Sequence, residues 1–274
     1  MKVMENLPLH LVFVRHGQST HNEVMSAFHR SSIQPPDWYF EEHDAFSTLT
    51  PKADETCRIT GDYLNKEFPT GFDRYIVSDL PRTLQTAGKL ALIGAAWEVN
   101  GFWRERDYGE HARFGVGVPE PYEHSHRLRA LNPLLWSPRG GESQATEVSL
   151  RIMEGLRDLR SDPPVRSAVV VTHGEVIETA LFHLENLSIV EWNERKQTRK
   201  YPIANNQVVH FSREDPATGE EYTQYIWRKS VCVWDDKRNW DGGEWVRLNE
   251  RKLLSNEEIL RLAQLSLPKV IGRE

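Results

Sequence analysis

The sequence predicts an α/β fold of three layers, α/β/α, with a central, mainly parallel sheet and an insert capping the carboxyl edge of its strands. Short apolar, β-branched runs at 9–14, 74–79 and 167–174 read as buried strands. Amphipathic stretches of helical period follow the second and third of them and precede the second. Strands alternating with helices in this way build parallel sheets covered on both faces.

Each element follows in order. After the first strand, residues 22–48 carry Pro35, Pro36 and three consecutive aromatics at Trp38, Tyr39 and Phe40, and read as a long irregular insert over a small aromatic core. Thr50 as N-cap and Pro51 at the first helical position open a helix to about residue 68, stopped by Pro69 and Gly71. The second strand leads into the helix of "LPRTLQTAGKLAL", with Ser78 or Asp79 near its start, and 96–99 is a short further strand. From 101 to 138 the pattern is lost. A long helix at 143–160 follows Gly140 and Gly141, then "SAVVVTHG" as strand and "EVIETALFHLE" as helix. "NQVVHFS" and "YTQYIWR" read as a closing hairpin or edge strands, and the Trp-rich, charged tail ends in a short helix at 256–265. The organisation expected is one catalytic domain over 1–229, with an insert at about 23–48 and a cap segment at about 101–138. An extension over 230–274 would pack on the same domain.

The composition bounds the function. The chain has 274 residues, 39% of them hydrophobic, with nine Trp, enough for a substantial core. A net charge of -6 gives no global pull towards nucleic acid or an anionic membrane, and no run approaches the length of a membrane span. The short apolar stretch at the N-terminus is broken by Pro8, His10 and Arg15 and lacks a cleavage site. Cys57 and Cys232 are the only cysteines and show no metal-type spacing, which suits free thiols in a reducing cytoplasm. The expected partner is a small molecule, with no nucleic acid and no membrane; a homo-oligomer stays open.

In sheets of this kind ligands bind beyond the carboxyl ends of the strands. In "VFVRHGQSTHN" the first strand delivers Arg15 and His16 there; "VVVTHG" delivers His173 and Gly174; and Arg82 enters the first turn after the second strand. Two imidazoles and two guanidiniums at one edge call for an anion, and a phosphoryl group matches guanidinium forks and helix N-termini. Cationic neighbours favour a neutral imidazole, which is nucleophilic. A second histidine can stabilise the transition state, and Glu105 can protonate the leaving oxygen. Taken singly, each histidine reads better as a packed strand end. Together they do not, because four buried cations without an anion are costly. For Glu105 the bland alternative is an ion pair with Arg104 or Arg106, and Asp107 is the rival acid. For Ser19 and Asn22 it is helix capping. Arg127 and Arg129 read as a solvated face.

At these residues the sequence resembles the histidine phosphatase superfamily, the phosphoglycerate-mutase-like enzymes. "RHGQSTHN" is similar to its signature, "SDLPRTLQTA" to the segment of the second arginine, "RERDYGE" to the acid-bearing segment, "GGES" to a helix entry and "VVVTHGEVI" to the second-histidine strand, across about 8–212. The resemblance implies a phosphohistidine at His16, a phosphoryl group held by Arg15, Arg82 and His173 with Asn22, Ser19 and Gly174 nearby, an acid role for Glu105, and neither metal nor other cofactor. It implies hydrolysis of a small phosphorylated metabolite. The alternatives are mutase-type phosphoryl transfer and an inactive phosphate-binding protein. Mutases of the family carry an adjacent Arg pair and a Tyr for the glycerate carboxylate; here Tyr122, Arg127 and Arg129 stand at a different spacing, and the long insert fits the phosphatase-like branch.

Overall fold

The computed structural model describes residues 6–109, 127–130, 133–198, 200–248 and 253–271. Strand β1 (His10–Arg15) is apolar and buried because it is central. It runs parallel to β4 (Ser167–Thr172), with Val12 opposite Val169, and antiparallel to β5 (Val208–Ser212). β2 (Arg74–Val77) pairs with β4 on its other side, and β3 (Trp97–Val99) with β2, both parallel. β6 (Trp227–Val231) and β7 (Val246–Arg247) extend the opposite edge antiparallel, giving the order β3-β2-β4-β1-β5-β6-β7.

The twofold alternation of strand side chains divides the core into two. Leu11, Phe13, Ile76 and Val170 join Trp103, Ile152, Leu156 and Ile177 on one face. Val12, Val14, Tyr75, Val77 and Val171 join Leu64, Ala87 and Leu90 on the other. The insert begins with α1 (Thr20–Ser31) and holds the single turn α2 (Trp38–Glu41). Helices α3 (Ala53–Glu67) and α4 (Pro81–Leu90) cover the second face, and α5 (Ser149–Asp158) and α6 (Gly174–Leu184) the first. The three-layer α/β/α architecture is therefore the one the sequence predicts.

Gly61 lets α3 and α4 touch: a Cβ there would stand 1.9 Å from the carbonyl oxygen of Leu90. Backbone cannot yield as a side-chain tip can. Gly61→Ala is expected to destabilise the fold by about 1–3 kcal/mol, although alanine is the better helix former by about 1 kcal/mol. A urea midpoint that falls at unchanged slope would show it; an unchanged midpoint would mean the helices separate freely.

Several local expectations are corrected. Residues 22–48 are not irregular throughout. Ser19 caps α1 in a reciprocal box with Asn22, and α2 and a short turn at Asp44–Phe46 follow. Tyr39 alone of the three consecutive aromatics is buried, against the His21 ring with centroids 4.9 Å apart. Thr50 does not cap α3; its hydroxyl donates to Gln18 Oε1 at 2.9 Å and the helix starts at Ala53. The 143–160 helix opens as a wide π-type turn, Gln144–Val148, before α5. A polar helix, α7 (Ile189–Thr198), was not foreseen, since Trp192 is its only buried residue. The last helix, α8 (Asn256–Ile271), continues past Pro268.

Beyond residue 229, β6 continues and β7 joins the sheet, while Trp240 sits in the first core. The buried Arg228 guanidinium pairs with Glu185 at 2.7 Å and Asp241 at 2.8 Å. No helix among the described residues is long and apolar enough to cross a membrane. Both cysteines are free and buried.

Candidate active site

Because β1, β4 and β2 are neighbours and parallel, their carboxyl ends open on the same edge. His16 follows β1 directly, and its backbone N–H donates to Thr172 O at 2.8 Å. Its ring Nδ1 lies 2.7 Å from Gly17 O. A carbonyl only accepts, so Nδ1 carries the hydrogen and Nε2 the lone pair. Gly17 is needed for packing: a Cβ would stand 3.0 Å from Ala53 Cβ and 3.1 Å from Cys57 Sγ. Its N–H donates to Thr86 Oγ1 at 3.0 Å. Asn205 Nδ2 donates to the carbonyls of His16 (3.0 Å) and Gly17 (3.1 Å), tying the loop to the segment that leads into the neighbouring β5.

His173 follows β4, and its ring centroid lies 5.2 Å from that of His16. Its Nε2 is 2.9 Å from the Ser78 hydroxyl, while Nδ1 is buried without a protein partner. Burial first, and then Arg82 and Arg15, hold both imidazoles well below the usual histidine range, so both are neutral. Arg15 donates from Nη1 to Ile203 O at 2.5 Å, and its buried Nε has no partner. Gly174 opens α6 beside that Nε, which a Cβ would approach to 3.5 Å. Arg82, almost wholly buried, donates from Nη1 to Asp44 O at 2.6 Å and from Nη2 to Asp44 Oδ2 at 3.1 Å. A buried guanidinium nitrogen and a buried imidazole nitrogen, both unpartnered beside the neutral His16 ring, have the chemistry to hold an anion.

Glu105 arrives from the segment after β3. Burial, and then repulsion from Glu175, push its carboxyl up to about 7, against the opposing pull of Arg82 and Arg15. The ion pairs that would make it merely structural go elsewhere: Arg104 bonds Asp79, and Arg106 bonds Glu175 at 3.1 Å. Asp107 is half exposed, accepts from Gly109 N at 2.7 Å and lies 4.0 Å from His43. Ser19 and Asn22 take the capping alternative: Ser19 Oγ accepts from Asn22 N at 3.3 Å, and Asn22 Oδ1 accepts from Ser19 N at 3.4 Å and from Asn205 Nδ2 at 3.0 Å. Arg129 lies over the Tyr108 and Trp136 rings, 3.8 Å from Glu175, and is not simply a solvated face. Tyr122 lies outside the described residues.

Sequence reasoning missed Asn205, Asp44 and the part played by Ser78. Ser78 stands in the quoted "SDLPRTLQTA" and could have been weighed there, whereas Asn205 and Asp44 carry no local signal.

Two neutral imidazoles, two guanidiniums and a buried carboxyl group on the carboxyl edge of a parallel sheet suit a phosphoryl-handling class of protein, and the comparison with known families agrees. The profile of the histidine phosphatase superfamily (branch 1) matches residues 11–218, and the chain belongs to that superfamily. No match was found among curated proteins. Among solved structures, a mycobacterial glucosyl-3-phosphoglycerate phosphatase with inorganic phosphate is similar at 22% identity and TM-score 0.56, over 74% of this chain and 89% of that one. The same enzyme complexed with VO3 gives 24% and 0.54, over 74% and 92%. The alpha-ribazole phosphatase from Shigella flexneri gives 15% and 0.56, over 79% and 96%. At such identities the likeness is one of fold.

Proposed function

We propose that the protein is a phosphomonoester hydrolase that acts through a phosphohistidine at His16 on a small phosphorylated metabolite. The observation that carries this is the Nδ1–Gly17 hydrogen bond, which leaves a neutral, unprotonated Nε2 beside the Arg82 and Arg15 charges. Nε2 attacks phosphorus in line with the ester oxygen. The P–O bond breaks, and the departing alkoxide takes the proton of Glu105, whose raised pKa keeps it protonated near neutrality. Charge on the equatorial oxygens is met by Arg15, Arg82 and His173. Water, giving its proton to the Glu105 carboxylate, then attacks the phosphohistidine and releases inorganic phosphate. These groups carry the charge without a metal, and the two buried thiols suit a reducing cytoplasm.

Ser78 has a defined part. Its hydroxyl lies 2.9 Å from His173 Nε2, and by donating there it would put the ring hydrogen on the unpartnered Nδ1, the tautomer a phosphoryl oxygen needs. Ser78→Ala is expected to cost about tenfold in kcat. It should also shift His173 towards the other tautomer, visible in its ring nitrogen NMR signals; an unchanged tautomer would remove Ser78 from the mechanism.

The function is tested by phosphate release from a panel of monoesters, headed by phosphorylated sugars, phosphoglycerates and ribosides because the similar structures are named for such substrates. Release that survives chelator supports the reading. Interconversion of phosphoglycerates without release would make the protein a mutase, and no turnover with retained phosphate binding an inactive phosphate-binding protein.

A further inference from the structure

The insert does more than cover the pocket. Asp44 begins its short turn, held by Ala45 N donating to His43 Nδ1 at 3.1 Å. From there its carbonyl and its carboxylate engage both terminal nitrogens of Arg82. The carboxylate also lies close enough to act on Arg15. A carboxylate therefore sits directly on Arg82, one of the two guanidiniums that a phosphoryl group would use. Arg82 is 3% exposed and fixed, whereas the Asp44 side chain is 37% exposed and can return to water. On either side the insert is tied down, by Thr20 N to Thr48 O at 2.9 Å and Leu49 N to Gln85 Oε1 at 2.8 Å. Between these ties, His43 meets Asp107 only at 4.0 Å, and Phe46 is exposed.

We infer that Asp44 is an internal competitor for the phosphate site, an autoinhibitory contact that substrate must displace from Arg82. The inference rests on the phosphatase reading above. A phosphoryl group carries up to two negative charges and three acceptor oxygens, so it outbids one carboxylate for a guanidinium. Apparent affinity is lowered by the fraction of molecules in which the contact is open. Ligands with a single negative charge gain less from the exchange, so the contact also favours monoesters over diesters.

The test is calorimetric binding of orthophosphate and orthovanadate to the wild type, Asp44→Asn and Asp44→Ala, with hydrogen exchange of the insert amides. Both variants are expected to bind about three- to tenfold more tightly, as an open fraction of roughly a third to a tenth requires. Phosphate should speed exchange at 38–46 in the wild type. Equal or weaker binding in the variants, or protection of those amides by phosphate, would overturn the inference and make Asp44 a positioning residue for Arg82. If neither wild type nor variants bind either anion, the phosphatase reading itself falls and the competitor falls with it.

Discussion

His16→Ala is expected to abolish phosphate release, with a loss of about four to six orders of magnitude, the scale on which removal of an attacking nucleophile acts. The site offers no substitute. His173 faces the same pocket, but its Nε2 is already engaged by Ser78 at 2.9 Å, and its Nδ1 is buried without a protein partner. Cys57 lies behind the Gly17 loop, but burial pushes its thiol up to about 11, so almost no thiolate exists at neutral pH. The variant should fold, because the backbone bond from residue 16 to Thr172 O needs no imidazole. Acid-labile, base-stable phosphate on the wild-type protein during turnover, absent from the variant, is the second readout. A loss of less than about tenfold would place the nucleophile elsewhere and end the phosphohistidine reading.

That His16 can be named from the sequence reflects how the fold makes the site. A buried parallel strand is an unbroken apolar run, so the point where Val14 gives way to Arg15 and His16 marks its carboxyl end, and the same holds where Thr172 gives way to His173. Arg82 is equally legible because Pro81 fixes the first turn of α4. What the sequence hides is what distance in the chain hides. Ser78 reaches His173 across 95 positions and Asn205 reaches His16 across 189. No local pattern announces Asn205, and although Ser78 stands in a readable segment, nothing local shows that it meets His173. Helix α1 escapes for another reason: its cap uses Asn22 where a glutamate is the usual sign, and only His21 on it is buried, so no apolar stripe repeats. Asp44 is hidden twice, by an insert without period and by a partner found only in three dimensions.

Glu105→Gln should separate substrates by their leaving groups. For alkyl phosphates kcat/KM is expected to fall about 10²–10⁴-fold, the usual contribution of a positioned acid. For nitrophenyl phosphate the loss should be small, since that phenolate departs without a proton. The ratio kcat/KM reports only steps up to departure of the alcohol, so the base role of Glu105 in hydrolysing the phosphohistidine does not blur the comparison. In the wild type the alkyl ester rate should decline above about pH 7, where Glu105 ionises, and that limb should vanish in the variant. The limb has a counterpart in stability. Glu105 is raised from 4.5 to about 7 on folding, first by burial and then by Glu175. Its contribution is therefore fully present below pH 4.5 and lost as pH rises through 7. Glutamine cannot ionise, so between pH 5 and pH 8 the variant should gain on the wild type in stability, by at most about 3 kcal/mol because the side chain is only partly shielded, and this gain should appear as a relative rise in melting temperature. Equal losses on both leaving groups would remove Glu105 as the acid. A flat difference in melting temperature would deny that its carboxyl is held protonated, so each half of the experiment tests a different link between burial and proton transfer.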